Sequence, residues 1–264
     1  MSKKINVGIL GAMGRMGQAL TQAVLDTDGL DLAAGSERPD HRLVGGAITG
    51  TDAPLFGHAK DVFKACDVVI DFTSPGNTKD HAGLAAQFGT ALIVGTTGLT
   101  ADDDQALDQA GAQAVIIQAG NMSMGVNLLT ALTRRVAKAL DDSWDIEIVE
   151  AHHKHKVDAP SGTALMLGHA AAEGRGIDHD ANTVRGRDGM TGTRKQGSIG
   201  YSAVRGGGVI GEHTIGFYSD HERIELSHRA ENRGLFAAGA MKAALWSKGQ
   251  KHGRYDMLDV LGIV

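Results

Sequence analysis

The chain is predicted to be an α/β protein: a doubly wound parallel sheet in its N-terminal half, then a second lobe of α+β type built on a mixed sheet. Three observations predict this. Short runs rich in Val and Ile alternate with helix-length amphipathic segments over the first half, the signature of parallel strands joined by crossover helices. A glycine-rich turn stands where the first apolar run gives way to the first amphipathic segment. Beyond Asn121 the pattern changes, and a stretch from Thr183 to Ser227, rich in glycine and β-branched residues, carries alternating runs such as HTIGFYS and ERIELSH. Such runs fit an antiparallel or mixed sheet with one polar face.

The first strand is Ile5–Leu10, the first helix residues 15–27 and the second strand residues 30–35. VVIDF at 68–72, ALIV at 91–94 and AVIIQ at 114–118 are further short strands, bounded by Gly, Pro or Asn and separated by helical segments. A long helix over 126–140 leads into the strand WDIEIVEAHH at 144–153. Pro160 and Ser161 then open a helix running to about residue 173, serine being a favoured N-cap. The last helix, residues 235–246, is Ala-rich and amphipathic and is expected to pack back on the first lobe. The resulting division is 1–124, joined by 234–264, and 125–233.

Composition narrows the function. At 264 residues the chain has room for two cores. A net charge of -5 argues against general affinity for nucleic acid or anionic membrane, and no run approaches the roughly 20 apolar residues of a membrane span. The opening MSKKINVGIL holds neither an apolar signal-peptide core nor a cleavage site, so a soluble, unprocessed chain is expected. A single cysteine, Cys66, excludes an intramolecular disulfide and suits a reducing cytoplasm. Beside the apolar run 68–70 it reads as a buried, inert thiol.

VGILGAMGRMGQAL sets Gly11, Gly14 and Gly17 between the first strand and the first helix. Glycine lets the backbone turn tightly and approach a pyrophosphate, which then meets the N–H groups and positive dipole end of the helix. The GxxGxxG spacing is one residue off the common fingerprint at its second glycine, but the strand, helix and next strand around it are those of a Rossmann-type site. At the end of the second strand, Glu37 can accept from both hydroxyls of an adenosine ribose, and Arg38 can meet a 2′-phosphate. Having both predicts weak discrimination between NADH and NADPH. Gly95-Thr96-Thr97-Gly98 and Ala119-Gly120-Asn121-Met122-Ser123 follow later strands and point to the same crevice, where they would flank the nicotinamide.

EAHHKHKVDAPSGTAL, starting at Glu150, packs three histidines and two lysines into His152 to Lys156. Hydride transfer to a carbon next to a polarised C=N or C=O needs a proton at the other end, and general acid catalysis contributes about 10²- to 10⁴-fold. Histidine titrates near neutrality, so the cluster is suited to holding a mobile proton. Ser161 as N-cap, with Gly162 and Thr163 in the first turn, makes a carboxylate-binding helix mouth. Lysines and helix mouth together imply a small acidic substrate with more than one carboxylate. Two other readings stay open: a solvated basic loop, and a Zn²⁺ site on His153 and His155, for which no Cys, Asp or Glu at close ligand spacing completes a set. Arg187, Arg194 and Arg205 are candidates either for extra carboxylate contacts or for structural roles.

VGILGAMGRMG, DFTSP at 71–75, GTTG, GNMSMGVN, EAHHKHKVDAPSGTA, RGRDGMTGTR and VIGEHTIGF together resemble the dihydrodipicolinate reductases, essentially from end to end. The resemblance implies NADH- or NADPH-dependent reduction of 4-hydroxy-tetrahydrodipicolinate, formed from pyruvate and aspartate semialdehyde, to tetrahydrodipicolinate with loss of water. It implies that His152 is a proton donor or acceptor and Lys156 a proton donor, and that His153, Gly162 and Thr163 bind the substrate's carboxylates. Cofactor contacts are implied for Gly11, Ala12, Met13, Gly14, Arg15 and Met16, for Glu37 and Arg38, for Gly95, Thr96 and Thr97, and for Ala119, Gly120, Asn121 and Met122. No metal is expected, since the two lysines of the cluster would repel a cation; the resemblance further implies a homotetramer built through the second lobe's sheet, making that lobe the substrate-binding and oligomerisation domain. Met122 departs from the aromatic that the family often has there, and Met13 makes the phosphate loop bulkier. The rival readings are an NAD(P)-sensing regulator without catalysis and a metal-dependent hydrolase using His152, His153 and His155.

Overall fold

The apolar runs of the first half form parallel strands whose side chains alternate between two cores. In the computed structural model, which describes residues 3–263, the chain begins with strand β1 (Ile5–Leu10), helix α1 (Arg15–Leu25), strand β2 (Leu30–Ser36) and the two-residue strand β3 (Leu55–Phe56). Helix α2 (Ala59–Ala65), strand β4 (Val68–Asp71), helix α3 (Thr78–Phe88), strand β5 (Ala91–Val94), helix α4 (Ala101–Ala110) and strand β6 (Val115–Gln118) follow. A second unit, Met124–Arg233, holds helix α5 (Met124–Ala139), strand β7 (Asp145–His152), helix α6 (Gly162–Arg175), and strands β8 (Thr183–Arg185), β9 (Ile199–Arg205), β10 (Glu212–Tyr218) and β11 (Arg223–Arg229). From Gly234 the chain returns to the first unit as helix α7 (Gly234–Ser247), strand β12 (Gly253–Tyr255) and helix α8 (Met257–Leu261).

The first unit's sheet runs β12-β6-β5-β4-β1-β2-β3, and every pair in it is parallel. Strand order reverses between β1 and β4, the switch point outside whose carboxyl ends open α/β sheets bind ligands. Val68, Ile70, Ile93 and Ile117 join one core with Leu20 of α1, Met241 of α7 and Val260 of α8. Their neighbours Val69, Leu92, Val94 and Ile116 join the other with Val62, Ala82 and Leu107 of α2, α3 and α4. A strand buried on both faces has no position for an unpaired polar side chain, which is why these runs are continuous rather than alternating. Each fully buried Ile or Leu contributes roughly 1.5–3 kcal/mol.

α7 departs from its predicted amphipathic character. Ala237, Gly239, Ala240, Met241, Ala243 and Ala244 are all buried, because the helix packs on α1 and against β1, β4, β5 and β6. Small residues permit that approach: a Cβ on Gly239 would overlap the Met122 carbonyl. Strands β3, β8 and β12 and helix α8 were not foreseen, being two to five residues long and too short for a period to show.

The second unit's sheet is mixed, in the order β11-β10-β7-β9-β8, with β10 antiparallel to β7 and β11, and β9 parallel to β7 and β8. Ile146, Ile148, Ile199, Tyr201, Ile215 and Phe217 cover one face and pack with Leu129 of α5 and Leu167 and Ala171 of α6. The opposite face carries Glu147, Thr214 and Ser202 together with Val149 and Val204, which are 44% and 54% exposed. β7 ends at His152, one residue before the predicted end, where the His152 carbonyl accepts from Gly206 N–H at 3.0 Å. Register then sets Glu150 opposite His213 of β10 and His152 opposite Arg205 of β9.

Gly168 of α6 faces the Tyr201 hydroxyl, which bonds His179 Nε2 at 2.7 Å. A Cβ at Gly168 would overlap that hydroxyl and stand 3.0 Å from His179 Nε2. Gly168→Ala should therefore lower stability by about 1–3 kcal/mol, read as a lower midpoint of denaturant unfolding with an unchanged slope.

Candidate active site

The end of β7 is organised by one carboxylate. Glu150 is 1% exposed, and residues two apart on a strand share a face, so His152 stands beside it. The Glu150 Oε2 atom accepts from His152 Nδ1 at 2.6 Å and from Arg205 Nη1 at 2.7 Å. Oε1 accepts from Arg205 Nη2 at 2.7 Å and from Ser161 N–H at 3.1 Å. Burial alone would raise the Glu150 pKa, but the Arg205 fork and then the His152 bond outweigh it and hold the carboxyl below its usual range. An ionised carboxylate only accepts, so Nδ1 of His152 carries the proton of that bond and Nε2 is left for other chemistry. A Cβ at Gly211 would stand 3.1 Å from Nε2; glycine leaves that nitrogen uncovered on this side.

After the strand, a turn in which Lys156 N–H donates to the His153 carbonyl at 3.1 Å presents Lys156. Its Nζ lies 2.8 Å from Asp158 Oδ1, and the Lys156 ammonium holds the Asp158 carboxyl below the usual range. Arg205 Nη2 also donates to the Asp158 carbonyl at 2.7 Å, so one arginine braces both the histidine's acid and the lysine's loop. His153 Nδ1 is buried with no hydrogen-bond partner among the described residues, and its ring centre is 6.2 Å from that of His155. Ser161 caps α6, accepting from Ala164 N–H at 3.2 Å, and its hydroxyl lies 3.0 Å from His213 Nε2. Gly162 and Thr163 open the helix, whose first turn has no acidic residue, an arrangement that favours an anion. Among the described residues no group of three or more His, Cys, Asp or Glu is placed to hold a metal ion.

His213 is 4% exposed and its ring meets His152 edge-on, centres 5.0 Å apart. Burial first, and the neighbouring His152 second, push its pKa down to about 4. Sequence reasoning missed His213 and the role of Glu150, and left Arg205 undecided. The two-residue spacing of Glu150 and His152 was a readable signal. The other two reach the cluster only through strand register.

In the first unit the three glycines have separate tasks. Gly11 turns the chain at φ +65, Gly14 is the N-cap of α1, and a Cβ on Gly17 would overlap the Gly11 carbonyl. Met13 N–H donates to Glu37 Oε2 at 3.3 Å and Arg38 N–H to Glu37 Oε1 at 3.1 Å, so Glu37 is brought from the end of β2 onto the glycine loop. Ala12 is fully buried, Met13 and Met16 lean on the core, and Arg15 begins α1. Gly95, Thr96 and Thr97 follow β5, with Thr96 buried and Thr97 exposed; Ala119, Gly120, Asn121 and Met122 follow β6. Asn121 Oδ1 accepts from Ser123 N–H at 2.8 Å. Met122 is 1% exposed and belongs to the core, with its carbonyl against Gly239 of α7. A helix without acidic residues in its first turn, a loop with no room for a Cβ at Gly17 and a carboxylate held at the loop fit a dinucleotide.

Comparison with known proteins agrees over both units. Family models described as dihydrodipicolinate reductase, N-terminus and C-terminus, match residues 5–122 and 125–261. The chain is 53% identical to the 4-hydroxy-tetrahydrodipicolinate reductase of Ruegeria pomeroyi, over 97% of each chain. It is 49% identical to that of Parvibaculum lavamentivorans, over 100% of each. Among solved structures, a dipicolinate-bound dihydrodipicolinate reductase from a Paenisporosarcina species superposes with a TM-score of 0.79 at 25% identity, covering 97% of this chain and 98% of the other.

A histidine whose folded-state pKa lies below the unfolded value of about 6.5 binds its proton more readily in the unfolded chain. The stability it leaves intact above about pH 6.5 is therefore lost as the pH falls toward His213's value of about 4. His213→Gln, which cannot titrate, should lose less stability than the unaltered protein between those limits, by up to about 3 kcal/mol, read from denaturant unfolding at stepped pH.

Proposed function

This chain belongs to the dihydrodipicolinate reductase family, and from that premise we propose how its residues carry the reaction. It is an NAD(P)H-dependent oxidoreductase that reduces 4-hydroxy-tetrahydrodipicolinate to tetrahydrodipicolinate with loss of water, in lysine and diaminopimelate biosynthesis. The observation that carries the assignment of roles is the Glu150–His152–Arg205 cluster beside the Ser161-capped start of α6.

Bound NADH or NADPH supplies the hydride. The chain's own tasks are to bind, to orient and to move a proton. Glu150 fixes the Nδ1 proton of His152, so proton traffic runs through Nε2. Lys156, steadied by Asp158, is the proton donor to the substrate, and His152 accepts or returns the proton that balances it. Gly162 and Thr163 at the helix mouth, with His153, hold the carboxylates. A dicarboxylate is supported by the relative whose structure is described as dipicolinate-bound. Gly11 to Met16 would take the pyrophosphate, Glu37 the adenosine ribose and Arg38 a 2′-phosphate, while Gly95 to Thr97 and Ala119 to Met122 would border the nicotinamide. With Glu37 and Arg38 adjacent, both NADH and NADPH serve. A non-catalytic NAD(P) sensor would have no use for the His152–Glu150 pair.

The exposed face of the second unit's sheet, with Val149 and Val204 in it, supports assembly into a homotetramer through that face. One free, buried thiol, Cys66, pushed up to about 12 by burial, suits the cytoplasm.

Oxidation of NADH and of NADPH, with substrate made in place from pyruvate and aspartate semialdehyde, tests the reading: oxidation should require both precursors and proceed with either cofactor. His152→Ala and Lys156→Ala should each lower kcat by at least about tenfold while NADH affinity, measured by calorimetry, stays unchanged. Unaltered kcat in both would remove them from the mechanism. Glu150→Gln should lower kcat by about tenfold as well, again without loss of NADH affinity. Light scattering after gel filtration should give the mass of four chains, and a monomer mass would rule out the tetramer.

A further inference from the structure

A second buried acid–histidine pair lies in the first unit. Asp71, the last residue of β4, is 0% exposed. Its Oδ2 accepts from Nδ1 of His81 in α3 at 2.6 Å, and its Oδ1 accepts from the Thr73 N–H at 2.8 Å and the Thr73 hydroxyl at 2.6 Å. Its main-chain carbonyl accepts from Gly95 N–H at 2.9 Å, and the Thr96 hydroxyl lies 3.4 Å from both that carbonyl and Oδ1. One residue thus ties together the loop after β4, the loop after β5 and the helix between them. Burial alone would raise the Asp71 pKa; the His81 bond, and then those from Thr73, outweigh it and hold the carboxyl below its usual range.

The tied loops are those expected to meet the cofactor. A Cβ on Gly11 would stand 3.2 Å from the Thr73 methyl, and a Cβ on Gly95 would overlap the Phe72 ring. Phe72 and Thr73 are therefore wedged between the glycine loop and the Gly95–Thr97 turn. Replacing both partners of a buried hydrogen bond by apolar groups of the same shape can be nearly neutral for stability, so the value of the Asp71–His81 pair lies in the geometry it imposes.

We propose that Asp71 and His81 are positioning residues for the dinucleotide: they hold the Phe72–Thr73 turn between the glycine loop and the Gly95–Thr97 turn, and so set cofactor affinity. This rests on the reading of the first unit as the NAD(P)H-binding unit. His81→Leu removes the ring donor and keeps bulk, whereas His81→Asn returns a donor at the place of Nδ1. The Kd for NADH, followed by its fluorescence below the melting range of each protein, should rise at least about tenfold in His81→Leu and return to within about threefold of the unaltered value in His81→Asn. kcat at saturating NADH and the KM for the dicarboxylate should stay within about threefold. An unchanged Kd in His81→Leu, an equal loss in both variants, or an equal rise in the KM of both ligands overturns the proposal. Should His81→Leu fail to fold, Thr73→Val, which keeps shape and removes one bond to Asp71, carries the same test; a Kd raised several-fold supports the proposal and an unchanged one overturns it. Failure of the unaltered protein to bind NADH is a separate result, and overturns the nucleotide reading itself.

Discussion

A carboxylate removed from water must be matched on every side, and Glu150 is matched by groups from three elements at once. Arg205 comes from β9, the imidazole from Glu150's own strand, and the Ser161 N–H from the start of α6. Leaving such a charge without one partner costs about 3–5 kcal/mol, so the register of β7 on β9, the entry of α6 and the tautomer of His152 are chosen together. A one-residue slip of β9 would turn Arg205 to the opposite face and leave the acid uncompensated. The proton-handling group and the helix mouth therefore share one anchor.

Asp71 repeats this construction in the first unit. Both acids lie at or near the carboxyl end of a strand, both hold an imidazole Nδ1 at 2.6 Å, and both accept from a main-chain N–H of the loop or helix that follows. They differ in what satisfies them: Glu150 accepts from a guanidinium fork, Asp71 from a histidine and a threonine. In each case a rigid strand fixes the acid and the acid fixes a segment without regular structure, which is how a loop acquires the precision that ligand binding demands.

Much of this was legible in the sequence, for reasons that can be named. Val68 to Ile70, Ala91 to Val94 and Val115 to Ile117 had to read as continuous apolar runs once helices cover both sheet faces, Gly17 had to be glycine once the loop packs on itself, and Gly11 had to be glycine at its positive φ. His152 and Lys156 were visible because local spacing concentrates them. The roles of Arg205 and His213 were not, since their positions follow from strand pairing across 55 and 52 residues from their partners Glu150 and Ser161. Nor could the burial of α7 be read from its period, because a helix of Ala and Gly has too little contrast between its faces to show which is covered. Met122 shows the same limit: its place in the motif gives no sign that the residue is buried in the core.

The first unit is discontinuous in the chain, and the order in which a ribosome delivers it follows from that. Strand β6 keeps an open edge until Gly253, Arg254 and Tyr255 pair with Val115, Ile116 and Ile117, and α7, which covers one face of the sheet, also arrives after residue 233. The second unit is complete while the first still has a bare apolar face and an unpaired strand. During synthesis this is the interval in which the nascent protein is open to edge-to-edge pairing with other chains, and it closes only with the final residues of β12.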